Sequence, residues 1–539
     1  MSEHEIFLQE YRDKVESNLN RLREVANSDD DTARGSALIS VIDDTFNCYL
    51  DRCMSKDFQE VIEQHRQDVF DTICKNKKIL KSLCDLHLSP DSEILSMNPD
   101  LEILSLQLMV ELTDKSDDLC NAVCQISEYL AFLKGVLDSN GSGAVNGDGD
   151  DNDNSSGGGG GVGNDEDDDI DGDEISDDKK KRLYFVITIV HNLAKNENNL
   201  PALRNGELQL SLRKYIYDDD TTIVALLGFA AVMSEDENTT IKDRNSIIKT
   251  LMRELESSLD SDVHISIGGW ESFDLERGIF NLARCDDNKM MLVEQNCLPN
   301  MLKIAKSRNP TERMIALRCL WALVFDDVIK KKVVDEPGMV YFLDGKRRSP
   351  DEEITDDAKL CHNILWTLRD VLLEYGDYEA IGKEMSVAAV ADGSKEGDFQ
   401  TLSLAEQPVG QIMMSHTLDK QDSVIQIRDQ LVANNFRVWV DNETSALEAM
   451  TKAVGKAEIV IMCVSRKYKN NEKCRAAAKY AIQKKRRIIP VLMESSYKPD
   501  GWLGIICGEN SCYDFSDDKL TNSNMEGFLK AVKNINDQT

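Results

Sequence analysis

Apolar residues recur at helical spacing from the start of the chain. "HEIFLQEYRDKVESNLNRLREV" places Ile6, Phe7, Tyr11, Val15, Leu19 and Leu22 near one stripe. "LEILSLQLMVELTDKSDDLCNAVCQISEYLAFLKGVL" continues in the same style. Proline is scarce and strand-like alternation is absent, so residues 1–138 predict a helical N-terminal region. The pattern stops at "SNGSGAVNGDGDDNDNSSGGGGGVGNDEDDDIDGDEISDD". Gly, Asn, Ser and Asp bury too little apolar area to offset the entropy of ordering, so 139–180 is expected to be an acidic, Gly/Asp-rich disordered linker. Helical spacing returns over 181–378. Residues 379–409 are polar and weakly patterned and read as a second linker.

The second helical stretch repeats. "NLARCDDNKMMLVEQNCLPNML" aligns with "ALVFDDVIKKKVVDEPGMVYFL", so that Leu282 falls on Leu323, Asp286 on Asp327, Glu294 on Asp335 and Leu302 on Leu343. A third copy is expected at "HNLAKNENNLPAL", and "NILWTLRDVL" echoes "RCLWALVFDD". A period of about 41 residues is in the range of armadillo and HEAT repeats. Units of that kind bury their apolar sides only against one another, so an armadillo-like helical array is expected over 181–378.

After Gly410 the texture changes. "QIMMSH", "FRVWVD", "EIVIMCVS", "RRIIPVLME" and "NSCYDFS" read as five strands, with helical segments between and after them. The near-continuous apolar run of "EIVIMCVS" suits a strand covered on both faces. Alternating strands and helices predict right-handed βαβ units, a five-stranded parallel sheet and a flavodoxin-like α/β domain over 410–539. Ligands of such sheets bind beyond the carboxyl ends of the strands. Those ends are Ser415–His416, Asp441, Ser465 and Glu494.

Charge and cysteine change the picture in two ways. The formal net charge is −34, which argues against general affinity for nucleic acid or anionic lipid. Residues 148–178 alone hold 14 Asp and Glu and no Lys or Arg. Within that tract Asp167, Asp169, Asp171 and Gly172 match the start of a calcium loop. Glu174 stands where the loop wants an apolar residue and Asp178 where it wants a bidentate Glu, so no metal site is expected. The 14 cysteines are scattered, without C-x-x-C pairs, and read as reduced thiols acting as small core residues. "KKKR" (179–182) and "KKRR" (484–487) border regular elements and read as solvated helix ends. The N-terminus lacks the apolar core of a signal peptide, and no stretch reaches the roughly 20 apolar residues of a membrane helix. A cytoplasmic protein without membrane insertion is expected.

"VWVD", "LEAMTKAVGKAEIVIMCVSRKYKNNEKCRAAAKYA", "RIIPVLME" and "YKPDGWLG" resemble the Toll/interleukin receptor (TIR) domain, in the cytosolic branch joined to armadillo-type repeats. The resemblance covers about a quarter of the chain. It implies one of two activities. Some TIR domains assemble signalling complexes, as in innate immunity, through contacts with other TIR domains. Others cleave NAD at the nicotinamide–ribose bond. The enzymatic members resemble one another in a glutamate three residues beyond a cysteine, in the helix after the third strand. A carboxylate there offsets positive charge on the departing sugar, as in glycoside cleavage.

Here the cysteine is Cys474, and three residues on stands Ala477. A methyl group neither accepts a ribose hydrogen bond nor stabilises a cation. Glu472 and Glu494 are the other carboxylates nearby. The loop after "VWVD" is the short "NETS", where the resembling family usually has a longer, glycine-bearing loop. The expectation is an intracellular signalling adaptor acting through TIR–TIR and armadillo contacts, a homo-oligomer through its TIR domain, with no cofactor and no confident catalytic residue. The alternative is an NAD glycohydrolase gated by the array, with NAD or a related nucleotide as ligand. Ser415, His416, Trp439, Asp441, Ser465 and Cys474 are the candidate groove residues. Trp439 and Trp502 are weighed chiefly as packing residues.

Overall fold

The computed structural model describes residues 3–46, 56–88, 100–139, 177–218, 220–348, 355–388, 411–441, 447–495, 497–510, 512–516 and 522–536. Two compact units divide the chain, Met1–Met233 and Ser234–Thr539.

The first unit is helical throughout its described residues. Its helix Asp177–Ala194 packs against Asp100–Lys115 and Thr222–Val232. Buried Asn192 stitches one of these contacts, its amide donating to the Val110 carbonyl and to Thr113 Oγ1, both at 3.2 Å. The helix begins at Asp177, inside the span expected as linker, and "KKKR" lies within its first turns. Two aspartates in the first turn suit the positive end of the helix dipole. Residues 140–176, with the calcium-loop match up to Ser176, lie outside the described residues.

In the second unit, after Glu235–Thr239 and Arg244–Leu259, helices come in groups of three. Ser272–Ala283, Asp286–Glu294 and Cys297–Ile304 are followed by Pro310–Leu323, Asp327–Asp335 and Met339–Arg347. The sequence explains the boundaries. Asn309 caps a helix that opens on Pro310, and the Asp326 carboxylate accepts from the amides of Val328 and Ile329, both at 2.9 Å. The repeat alignment falls on equivalent places: Leu282, Leu323, Leu302 and Leu343 are all buried. The expected third copy shares a specific bond. Asn199 donates to the Leu193 carbonyl at 3.1 Å, and Asn288 donates to the Leu282 carbonyl at 3.1 Å. Trp321 Nε1 donates to Thr367 Oγ1 at 3.1 Å, joining Pro310–Leu323 to the next long helix, Asp356–Leu372. The stretch read as a second linker opens with a further helix, Glu379–Ala388, which packs on Asp356–Leu372 and buries Met385. The array therefore runs further than the polar composition suggested. Residues 389–410 lie outside the described ones.

The α/β part is a five-stranded, all-parallel sheet in the order β2-β1-β3-β4-β5: β1 Gln411–Ser415, β2 Arg437–Val440, β3 Ile459–Val464, β4 Arg487–Leu492 and β5 Tyr513–Asp514. Every residue of β3, the central strand, is buried, which accounts for its unbroken apolar run. On one face Ile412, Ile461, Val491 and Phe515 meet Val424, Ile427 and Leu431 of helix Gln421–Ala433 and Phe528 of the last helix. The strand order reverses between β1 and β3, so the crevice expected for a ligand opens at their carboxyl ends.

Candidate functional site

Polar side chains gather at those strand ends, out of solvent. Ser415, His416 and Thr417 follow β1 and Asp441 follows β2, and all four are buried. The Asp441 amide donates to the Met414 carbonyl at 2.9 Å, which carries the β2 end alongside β1. Lys473, in the first turn of helix Glu472–Gln483, reaches Asp441 Oδ1 at 3.1 Å. Cys474 Sγ lies 3.7 Å from the His416 carbonyl. Burial, with Lys473 nearby, lowers the pKa of His416 and so favours its neutral form. Among the described residues His416 Nδ1 and Thr417 Oγ1 have no hydrogen-bond partner.

Of the six candidate groove residues, Ser415, His416, Asp441 and Cys474 are thus neighbours. Ser465 is a helix cap, its hydroxyl accepting from the Tyr468 amide at 3.1 Å. Trp439 is half-buried on edge strand β2, where it pairs in register with Met413. Lys473 is not among the candidate groove residues read from the sequence. A lysine after an N-terminal glutamate reads as solvated surface, and its link to Asp441 spans 32 residues. The short loop that opens at Asn442 lies outside the described residues.

Helix Glu472–Gln483 has two occupied faces. Cys474, Ala477, Ala478 and Ala481 are buried. Ala477 is fully enclosed, one turn beyond the cysteine that touches the His416 carbonyl. The other face lies on the helical array. Arg475 makes two 2.8 Å bonds to the Asp286 carboxylate. Lys479 donates to the Phe325 carbonyl at 2.7 Å and approaches Asp327 Oδ1 at 3.3 Å. Asp286 and Asp327 are the aspartates that the repeat alignment equates. A pair four residues apart on one helix therefore spans one step of the repeat. Tyr480 stands edge-on to Trp366 with ring centroids 5.6 Å apart. The guanidinium of Arg475 also lies 5.0 Å from the Phe325 ring and 5.5 Å from that of Trp502.

Both alternative carboxylates are engaged. Glu472 accepts from Arg318 of the array at 3.3 Å, and Glu494 accepts from the Arg466 amide at 3.0 Å. A second seam forms at Asp500. It pairs with Lys469 at 2.8 Å and accepts from the Glu235 amide at 2.9 Å, while Lys469 reaches Glu235 at 3.4 Å. Gly501 follows with φ +53°, and a Cβ there would fall 1.7 Å from a Glu235 carboxylate oxygen. Only glycine accommodates both the backbone angle and the contact.

Electrostatics at the seam follow from burial and pairing. Burial pulls the Asp286 carboxyl up, and Lys289 and Arg475 outweigh it, holding it below its ordinary range. Lys289, whose side chain is 1% exposed, lies 2.7 Å from Asp286. Burial, reinforced by Arg475, lowers its pKa to about 8. Asp286 thus lies between a buried cation of its own repeat and a cation of the α/β domain.

Residues 412–530 match the family described as TIR domain. The TIR domain accounts for the parallel sheet and for the helices around it. Among solved structures, a designed armadillo repeat protein is 15% identical, with a TM-score of 0.33, over 54% of this chain and 99% of its own. An engineered protein is 13% identical, with a TM-score of 0.36, over 72% of this chain and 95% of its own. A computationally designed armadillo repeat protein for modular peptide recognition is 15% identical, with a TM-score of 0.31, over 53% of this chain and 99% of its own. No curated protein matches the chain. Among the described residues no helix is long and apolar enough to cross a membrane.

Proposed function

We propose that the chain is a signalling scaffold whose TIR domain is restrained by the array and, when released, recruits other TIR domains or copies of itself. The observation that carries this reading is the state of helix Glu472–Gln483. Ala477, which the resemblance sets at the place of the family's glutamate, is fully buried, and the opposite face is paired with Asp286 and Asp327. Electrostatic stabilisation of a developing oxocarbenium ion needs a carboxylate aimed at it. Losing such a group typically costs about 10²–10³ in rate. Glu472 and Glu494 are held by Arg318 and the Arg466 amide, so neither is placed to take over without losing a structural bond. The Lys473–Asp441 pair lies at the carboxyl ends of the strands, where ligands of such sheets bind. Release of the seam would uncover Arg475, Lys479 and Tyr480, a basic and aromatic surface suited to protein contact.

The test is nicotinamide release from NAD by the full chain and by its Ala477→Glu variant, with circular dichroism to verify folding. The scaffold reading expects no turnover by the natural chain. Gain of turnover in the folded variant would mean that the groove persists and lacks only its carboxylate. Release of nicotinamide by the natural chain would sink the scaffold reading in favour of an array-gated NAD glycohydrolase. Glu472→Gln and Glu494→Gln would then find the acting group.

A further inference from the structure

Among the described residues, the two most exposed large apolar side chains lie four positions apart: Ile267, 97% exposed, and Val263, 72% exposed. Ile265, between them, is 41% exposed. All three belong to the loop 260–271, which joins helix Arg244–Leu259 to helix Ser272–Ala283. The loop is tied down by its own backbone. The Ser266 amide donates to the Trp270 carbonyl at 2.8 Å, and the Ser272 amide donates to the His264 carbonyl at 2.9 Å. The Ile267 amide donates to Ser257 Oγ at 3.1 Å, and His264 Nδ1 meets Glu312 Oε1 at 3.3 Å. Gly269, at φ +82°, makes the turn. Ordering a loop costs entropy, and apolar groups left in water offset none of that cost. Three of them held outward together mark a contact surface.

We propose that this loop docks a basic amphipathic helix of a partner protein. Charge selects the partner. Residues 260–271 include Asp260, Asp262 and Glu271, all exposed, and no Lys or Arg. Lys303 answers Asp260 at 3.0 Å, and no ion pair engages Asp262 or Glu271 among the described residues. An apolar patch with an acidic rim suits an apolar stripe flanked by Lys and Arg. The backbone decides the mode of contact. The Ser266, Ile267 and Ser272 amides are already bonded within the array, so little is left to pair with an added strand. Side chains make the contact, which is how a helix docks.

Other occupants fit less well. The same loop of a second copy would bring the same acids to the contact. Three apolar side chains also fall far short of the roughly 800 Å² that each partner buries in a standard interface. Anionic lipid meets the same repulsion. So do two segments of this chain outside the described residues: 140–176 contains no Lys or Arg, and 389–410 holds four acids against one lysine. A single basic helix is small enough and of the right charge. None of these loop residues belongs to the groove or the seam, so the contact is independent of NAD turnover and of TIR release.

The full chain is titrated into a fluorescein-labelled peptide of leucine and lysine at helical spacing, and anisotropy is read at about 0.15 M salt. Saturable binding is expected, with a matched leucine–glutamate peptide at least about tenfold weaker. The double variants Val263→Ser, Ile267→Ser and Asp262→Lys, Glu271→Lys should each weaken binding at least about tenfold. Ile505→Ser, at an isoleucine of the TIR domain that is 65% exposed, should leave it unchanged. All five side chains are exposed, and circular dichroism verifies that the variants fold. Equal affinity in Val263→Ser, Ile267→Ser would reduce the binding to the general attraction of an acidic chain and overturn the proposal. Dimers in sedimentation that Ile267→Ser abolishes would also overturn it, by placing a second copy on the loop. Flotation with phosphatidylcholine vesicles that the same variant abolishes would do so by placing lipid there.

Discussion

Glu276 shows how far one side chain departs from its surroundings. It lies on helix Ser272–Ala283 with no exposed surface, and neither carboxyl oxygen has a hydrogen-bond partner among the described residues. Its neighbour Glu312 is buried too, but accepts from Ser307 Oγ at 2.6 Å and Ser272 Oγ at 3.3 Å and meets His264 Nδ1 at 3.3 Å. Burial first, and Glu312 second, push the Glu276 carboxyl up to about 9. The folded state then holds a proton that the unfolded chain releases near 4.5. Stability from this group is complete below that lower value and falls as pH rises toward 9. Glu276→Gln should flatten that slope and raise stability at neutral pH by about 1–3 kcal/mol. Denaturant midpoints of both proteins across the pH window check it, and a parallel pair of curves would mean that Glu276 is not neutral when folded.

At the scale of elements, buried asparagines hold the repeats together. Asn288 and Asn238 exchange amide bonds of 2.9 and 3.2 Å, and Asn288 also serves the Leu282 carbonyl. Asn288→Ala leaves the Asn238 side chain and that carbonyl without these bonds in the interior. It should cost about 1–3 kcal/mol, read as a lower denaturant midpoint. A substitution that leaves the midpoint unchanged would place the repeat's stability in its leucines alone. The repeat was legible because each copy buries the same apolar positions, so Leu282 and Leu323 reappear in step. The five strands were legible for a similar reason, a change from helical spacing to short apolar runs. Glu379–Ala388 was missed because a helix that buries little beyond Gly382 and Met385 among its described side chains looks like a linker. The Asp441–Lys473 pair and the Arg475 and Lys479 contacts were beyond reach. A basic helix face looks the same whether water or a distant aspartate answers it, and Arg475 finds Asp286 across 189 residues.

At the scale of the whole molecule, charge is divided between the two sides of the seam. A chain with a net charge of −34 places Lys469, Arg475 and Lys479 on the TIR side, against Glu235, Asp286 and Asp327 of the array. Arg318 and Glu472 run the opposite way, which gives the docking a register as well as an attraction. The pairs differ in weight. Asp327 is largely exposed and its bond to Lys479 is open to salt, whereas Asp286 also neutralises buried Lys289. Reversal at Asp327 should therefore loosen the dock, and reversal at Asp286 should both loosen it and destabilise the array. The double variant Asp286→Lys, Asp327→Lys sets Arg475 and Lys479 of the TIR side, and Lys289 of the array, against two more cations. Amide hydrogen exchange should then rise in Glu472–Gln483 and in Gly501–Glu509, while β3, enclosed within the sheet, keeps its protection. Asp327→Lys alone should show a smaller rise that grows with ionic strength, because screening weakens the Arg475 and Lys469 pairs that remain. Equal protection of both helices in the natural chain and the double variant would mean that the aromatic contact of Tyr480 with Trp366, rather than charge, holds the TIR domain to the array.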